Sequence, residues 1–248
     1  MLILASDTST KSISVAVFED GRILASYTQD LGMTHSQTHM PLIDSILKES
    51  GKTISEVELF AVTIGPGSYT GIRIGVTTTK ALAYALNKDV VGVSSLEVLS
   101  YPFSDENTLV CPMLDARNKR VFAGGFYNKN LCIAEGNYRI DEFYEKVSAF
   151  IKSSDISISK IVFCGNAADL YSKEEQIKEL IEKSSEGDNK IDFKFIPTDP
   201  KACDLAKISH AKYTTANQSE ENEYSPYKLT TRYLSPSSAE RLNKNKKG

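Results

Sequence analysis

The chain has no C-x-x-C pair, no apolar run near the length of a membrane span and no excess of either charge. Its four cysteines, Cys111, Cys132, Cys164 and Cys203, are scattered, which argues against a zinc site and a disulfide framework and points to a reducing cytosol. No run approaches about 18 apolar residues, so no membrane span is expected. The N-terminus opens on a strand pattern, without a basic stretch followed by an apolar one, so no signal peptide is expected. A net charge of −3 gives no global attraction to nucleic acid. RNA binding would need a local patch or a basic partner. What is present is ordinary for a soluble globular protein: 248 residues, 41% hydrophobic and 25% charged.

Residues 2–6 read as a short apolar strand ending at Asp7-Thr8-Ser9-Thr10. Residues 12–18 alternate, with Ile13, Val15 and Val17 on one face. Asp20-Gly21 is a hairpin turn, and 23–28 the returning strand. Thr34 and Gln37 have capping-box spacing, and Met40, Ile43, Ile46 and Leu47 then share a helical face. Pro41 predicts a kink there or a start nearer Thr38. A buried strand over 57–64, a helix over 70–86, a strand over 89–93 and a short helix capped by Ser94 or Ser95 complete a first unit. That order implies parallel pairing with right-handed crossovers.

Residues 101–107 read as a boundary between units 1–103 and 104–248. The second unit has strands over 108–114, 120–126 and 131–139, a helix over 141–152, a strand over 160–164, and helices over 172–183 and 199–213. The polar stretch 184–190 and the basic end 241–248 read as mobile. Each half opens with three strands, which suggests a duplicated fold.

The glycine-rich loop Gly65-Pro66-Gly67-Ser68-Tyr69-Thr70-Gly71-Ile72-Arg73 is the most specific feature. It lies between an apolar strand and a helix, where free backbone N–H groups can meet an anion or another chain. It fits neither nucleotide fingerprint: the third glycine is one residue late for G-x-G-x-x-G, and Ile72-Arg73 stands where a Walker loop has Lys-Ser/Thr. His35 and His39 are four apart, but Ser36 replaces the glutamate of H-E-x-x-H and no third ligand is evident. Gly71, Gly75, Thr79 and Ala83 form a small-residue stripe. It packs either on this chain's own sheet or against a second subunit. Asp7-Thr8-Ser9 is either a self-stabilised turn or a vestigial phosphate loop. Asp115-Ala116-Arg117 reads as an ion-paired hairpin, and Gly165-Asn166-Ala167 as a trace of a later glycine loop.

The 65–73 segment resembles the signature of the bacterial TsaB (YeaZ) family, the non-catalytic partners of TsaD in making threonylcarbamoyladenosine on tRNA. Support comes from residues 7–9, 35–43, Asp115-Ala116-Arg117 and, more loosely, Tyr224-Ser225-Pro226-Tyr227 onward. The resemblance implies an α/β, actin-like ATPase or ribonuclease H-like (ASKHA) fold of two lobes, the second reduced, with the last helix and tail packing back on the first. It implies a subunit without catalytic residues or metal that organises TsaD, helps dock the ATPase TsaE and pairs with itself when alone. It implies no cofactor beyond a nucleotide at the partner interface, and contact with tRNA only through the complex. The interface it implies lies on two N-terminal helices and takes in His35, His39, Ile43, Gly67, Tyr69, Gly71, Arg73, Gly75, Thr79 and Ala83. The alternatives are an ATP-dependent phosphotransferase or a glycoprotease-like metalloenzyme of the same superfamily, or a standalone homodimer with a regulatory or peptidoglycan-related role.

Overall fold

The computed structural model describes residues 1–30, 35–154, 156–175, 177, 179, 191–216 and 223–234. Ten strands form two five-stranded sheets. The first contains β1 (Leu2–Asp7), β2 (Ile13–Glu19), β3 (Arg22–Gln29), β4 (Leu59–Thr63) and β5 (Asp89–Val93), in the order β3-β2-β1-β4-β5. β1–β3 are antiparallel, and β4 and β5 continue parallel to β1. The second contains β6 (Thr108–Asp115), β7 (Arg120–Tyr127), β8 (Asn130–Arg139), β9 (Lys160–Cys164) and β10 (Asp192–Ile196). Its order, β10-β9-β6-β7-β8, repeats the first with the same strand directions. The fold is therefore a duplication, as the strand count in each half suggests.

Both faces of the first sheet are covered, so β1 is buried throughout and runs apolar from Leu2 to Ala5 rather than alternating. Leu4, Val17 and Val62 pack under α1 (His35–Glu49) and α2 (Tyr69–Ala85) through Ile43, Ile46, Ile72 and Val76. Ile3, Phe18 and Ala61 pack on the opposite face under α5 (Ala202–Thr215). The second sheet holds α4 (Ile140–Ser153) on one face. On its other face lies α3 (Ser95–Ser100), whose Leu96 and Leu99 join Val110, Leu114 and Val162. Each half thus lends a helix to the other half's sheet.

Two local expectations change. Pro41 lies inside α1, which begins at His35 rather than near Thr38. Proline removes one backbone donor, and burial of Ile43, Ile46 and Leu47 holds the helix through it. Residues 172–174 are non-helical, and much of the helix expected over 172–183 lies outside the described residues, as do the Thr34 cap, most of the 184–190 stretch and the basic end. β10 carries no assignment in the sequence reading. Ser94, rather than Ser95, caps α3, accepting from the Leu96 N–H at 3.2 Å.

Candidate partner surface

The glycine loop closes down on the turn after β1. Ser68 caps α2, accepting from Gly71 N–H at 3.3 Å, and its own N–H donates to the Ser9 carbonyl at 2.7 Å. A Cβ on Gly67 would stand 2.2 Å from the Ser9 carbonyl oxygen, and one on Gly71 2.1 Å from that of Thr8. Thr8 Oγ1 donates to the Gly71 carbonyl at 2.8 Å, and a Cβ on Gly75 would lie 2.3 Å from that hydroxyl. One turn further along, Thr79 Oγ1 lies 3.3 Å from Ser6 Oγ. The small-residue stripe therefore packs on this chain's own first strand and turn. Gly71, Gly75, Thr79 and Ala83 are buried within the chain, in line with the first of the two packings open to the stripe.

The Asp7-Thr8-Ser9 turn is fully enclosed. One Asp7 oxygen accepts from the Thr63 hydroxyl and from the hydroxyl and N–H of Ser9, while Oδ2 is buried without a partner. Burial raises the Asp7 pKa to about 6. A phosphate loop needs donors facing an open cleft, and here they are turned inward. In the second lobe the corresponding β6–β7 loop has no glycine, and residues 117–119 all have positive φ, held by Asp115 Oδ1 accepting from Arg117 N–H at 2.9 Å. A Cβ on Gly165 would meet the Met113 carbonyl oxygen at 2.2 Å. These residues do not fit a bound nucleotide phosphate.

The two histidines serve different ends. A ring nitrogen of His35 lies 2.8 Å from the Thr10 carbonyl oxygen. His39 is buried with neither ring nitrogen partnered among the described residues, and burial, aided by the nearby His35, lowers its pKa to about 4. Among the described residues no group of three His, Cys, Asp or Glu side chains could hold a metal ion.

The outward face is elsewhere on the same helices. A groove of about 480 Å³ runs between α1 and α2, lined by Met40, Tyr69, Thr70, Arg73, Ile74 and Thr77, with His39 at its base. Met40 and Tyr69 are large exposed side chains. Of the residues implied for an interface, Tyr69 and Arg73 face outward. His39 and Ile43 are buried, and Gly67 packs on Ser9. Sequence spacing alone gives Met40, Ile74 and Thr77 no interface role. The outward side of each helix was the signal for them.

Duplicated three-plus-two sheets with exchanged helices define the actin-like ATPase class of fold. A Thermus thermophilus ROK hexokinase shares it at TM-score 0.52 and 11% identity, over 87% of this chain and all of that one. A Pseudomonas aeruginosa protein described as similar to peptidase YEAZ superposes with TM-score 0.70 and 24% identity, over 94% of this chain and 99% of that one. The sequence model for TsaD, tRNA N6-adenosine threonylcarbamoyltransferase, matches residues 29–206. The Bacillus subtilis (strain 168) tRNA threonylcarbamoyladenosine biosynthesis protein TsaB is 38% identical over 130 residues, 52% of this chain and 57% of that protein. The chain belongs to the family that the sequence model describes, and three curated relatives that it matches at 32–38% identity are TsaB proteins. It spans about half the length of the curated relatives it matches.

Proposed function

We propose that this chain is the non-catalytic subunit required for threonylcarbamoyl transfer to N6 of the adenosine following the anticodon, acting in the cytoplasm by binding and organising TsaD. The observation that carries this reading is the pairing of a closed phosphate turn with an open groove between α1 and α2 bearing exposed Met40 and Tyr69. A surface of that kind acts by binding one arrangement of its partner more tightly than another. The same face serves self-pairing when TsaD is absent, and the assembled pair helps dock TsaE. The chain needs no cofactor of its own, and any nucleotide sits at the partner interface. No helix among the described residues is long and apolar enough to cross a membrane.

The test is a tRNA threonylcarbamoylation assay with a TsaC-type synthetase, TsaD and TsaE, with and without this chain, alongside size-exclusion chromatography with TsaD. Modification that depends on the chain, with co-elution, is expected. Modification that proceeds equally without it, and no co-elution, overturns the reading.

A further inference from the structure

Four tyrosines, an arginine and a lysine stand along α2 and the segment 226–233 that packs beside it. The groove there, of about 720 Å³, has α2 as one wall and residues 226–233 as the other. A pair of rings stands near each end. Tyr69 stacks on Tyr233 with centroids 4.9 Å apart, and Tyr84 meets Tyr227 edge-on at 5.4 Å. At 1.5 Å per residue, Tyr69 and Tyr84 lie about 22 Å apart along the helix. Tyr84 is 60% exposed and Tyr227 72%, so ring surface is open to a ligand.

Among the described residues the charge here has no anionic partner. Arg73 lies 5.3 Å from the Tyr69 ring centroid and donates to its hydroxyl at 3.0 Å. Lys80 donates to the Leu229 carbonyl oxygen at 3.1 Å. Both cations therefore rest on neutral groups, and among the described residues no carboxylate lines the groove. This is a local positive, aromatic surface on a chain whose net charge is −3.

We propose that this groove binds a single-stranded segment of tRNA, with the tyrosine rings taking unstacked bases and Arg73 and Lys80 facing phosphates. Rings interleaved with cations, in a wall without anions, complement an acceptor-rich polyanion carrying flat bases. An apolar helix from a protein would leave both cations unmatched. The groove shares Tyr69, Arg73 and Thr77 with the α1–α2 groove, so bound RNA would lie at the edge of the partner. That the RNA is tRNA rests on the proposed function.

The experiment is fluorescence anisotropy of a labelled, unmodified tRNA transcript titrated with TsaD alone, with TsaD plus the full chain, and with TsaD plus Lys80→Gln, Tyr227→Ala or Tyr84→Ala. The tyrosine variants truncate exposed rings, which keeps the test informative if Lys80→Gln loosens the 226–233 segment. The wild-type chain is expected to tighten tRNA binding, each tyrosine variant to weaken it about tenfold, and Lys80→Gln to lower the salt slope by about one. Equal affinities for wild type and variants, or no effect of the wild-type chain on tRNA binding, overturn the proposal. Loss of co-elution with TsaD in the tyrosine variants also overturns it, by making the groove a protein-docking surface. The modification assay and wild-type co-elution report separately on the proposed function.

Discussion

At the scale of single residues, the fold is set by a few close approaches around the turn after β1. A helical glycine replaced by alanine gains about 0.5–1 kcal/mol where there is room. At Gly75 there is none, because the added carbon would lie 2.3 Å from the buried Thr8 hydroxyl. Overpacking costs about 1–3 kcal/mol and wins. Gly75→Ala should therefore lower stability by about 1–2 kcal/mol, and adding Thr8→Ala should return part of it. Urea denaturation midpoints decide this, and a more stable Gly75→Ala would refute the packing argument.

His39 gives a pH test. Its pKa, about 4 when folded against 6.5 for the free side chain, means the unfolded state binds more protons between those values. Its contribution is present above about pH 6.5 and is lost as pH falls toward 4, up to about 3 kcal/mol. Asp7, raised to about 6, works in the opposite sense, since its folded state holds the proton longer and gains on acidification. The two offset each other in the wild type, so the bare pH profile hides both. In His39→Leu the His39 contribution is gone while that of Asp7 stays, and the variant should gain on wild type as pH falls from 7 to 4.5. A gap that stays constant across that range would mean His39 is not held neutral.

At the scale of elements, α1 and α2 each have an inner side that builds the fold and an outer side free for a partner. Met40→Glu, at a position 47% exposed, and Thr77→Glu should leave the free energy of unfolding within about half a kcal/mol of wild type. They should weaken association with TsaD by tenfold or more by placing charge in the groove. Sedimentation with TsaD would measure it, and an unchanged dissociation constant would remove the α1–α2 groove from the interface. The contrast with Gly75 shows what was legible in the sequence. Spacing of four reveals that Gly71, Gly75, Thr79 and Ala83 form a stripe, but not which neighbour the stripe meets, because that neighbour is Thr8, far away in sequence. The first strands, the hairpin at Asp20-Gly21 and the glycine loop were readable because their signals are local. β10 was not: it is a five-residue, incompletely buried strand whose identity comes from pairing with β9. The tail wall of the second groove was equally hidden, since Tyr227 and Tyr233 gain meaning only from rings at Tyr84 and Tyr69.

At the scale of the whole molecule, the segment around residues 224–234 ties the two sheets together. The Val90 N–H donates to the Tyr224 carbonyl at 2.8 Å, Leu229 is buried in the core under α2, and the Arg232 N–H donates to Ile64 O at 2.7 Å. The Arg232 guanidinium then reaches Glu135 on β8 at 2.5 Å, while the other Glu135 oxygen accepts from Ser94 Oγ at 2.6 Å. Glu135 is only 3% exposed, and burial raises its pKa against the opposing pull of Ser94 and Arg232. A carboxylate so placed depends on its partners. Arg232→Ala leaves it buried with Ser94 alone, which should cost about 1–3 kcal/mol, less than for a fully buried pair because the arginine is half-exposed. Glu135→Gln removes the charge and can keep a hydrogen bond to Ser94, so in the Arg232→Ala background it should restore stability rather than subtract more. The double-mutant cycle should therefore show coupling above about 0.5 kcal/mol. Additive effects would mean the contact is incidental and the lobes are held by α3 and α5 alone. Coupling would make Glu135 the point where the second sheet holds the segment that walls the tyrosine groove. In that case Arg232→Ala should weaken tRNA binding by the TsaD complex although residue 232 lies outside the groove lining.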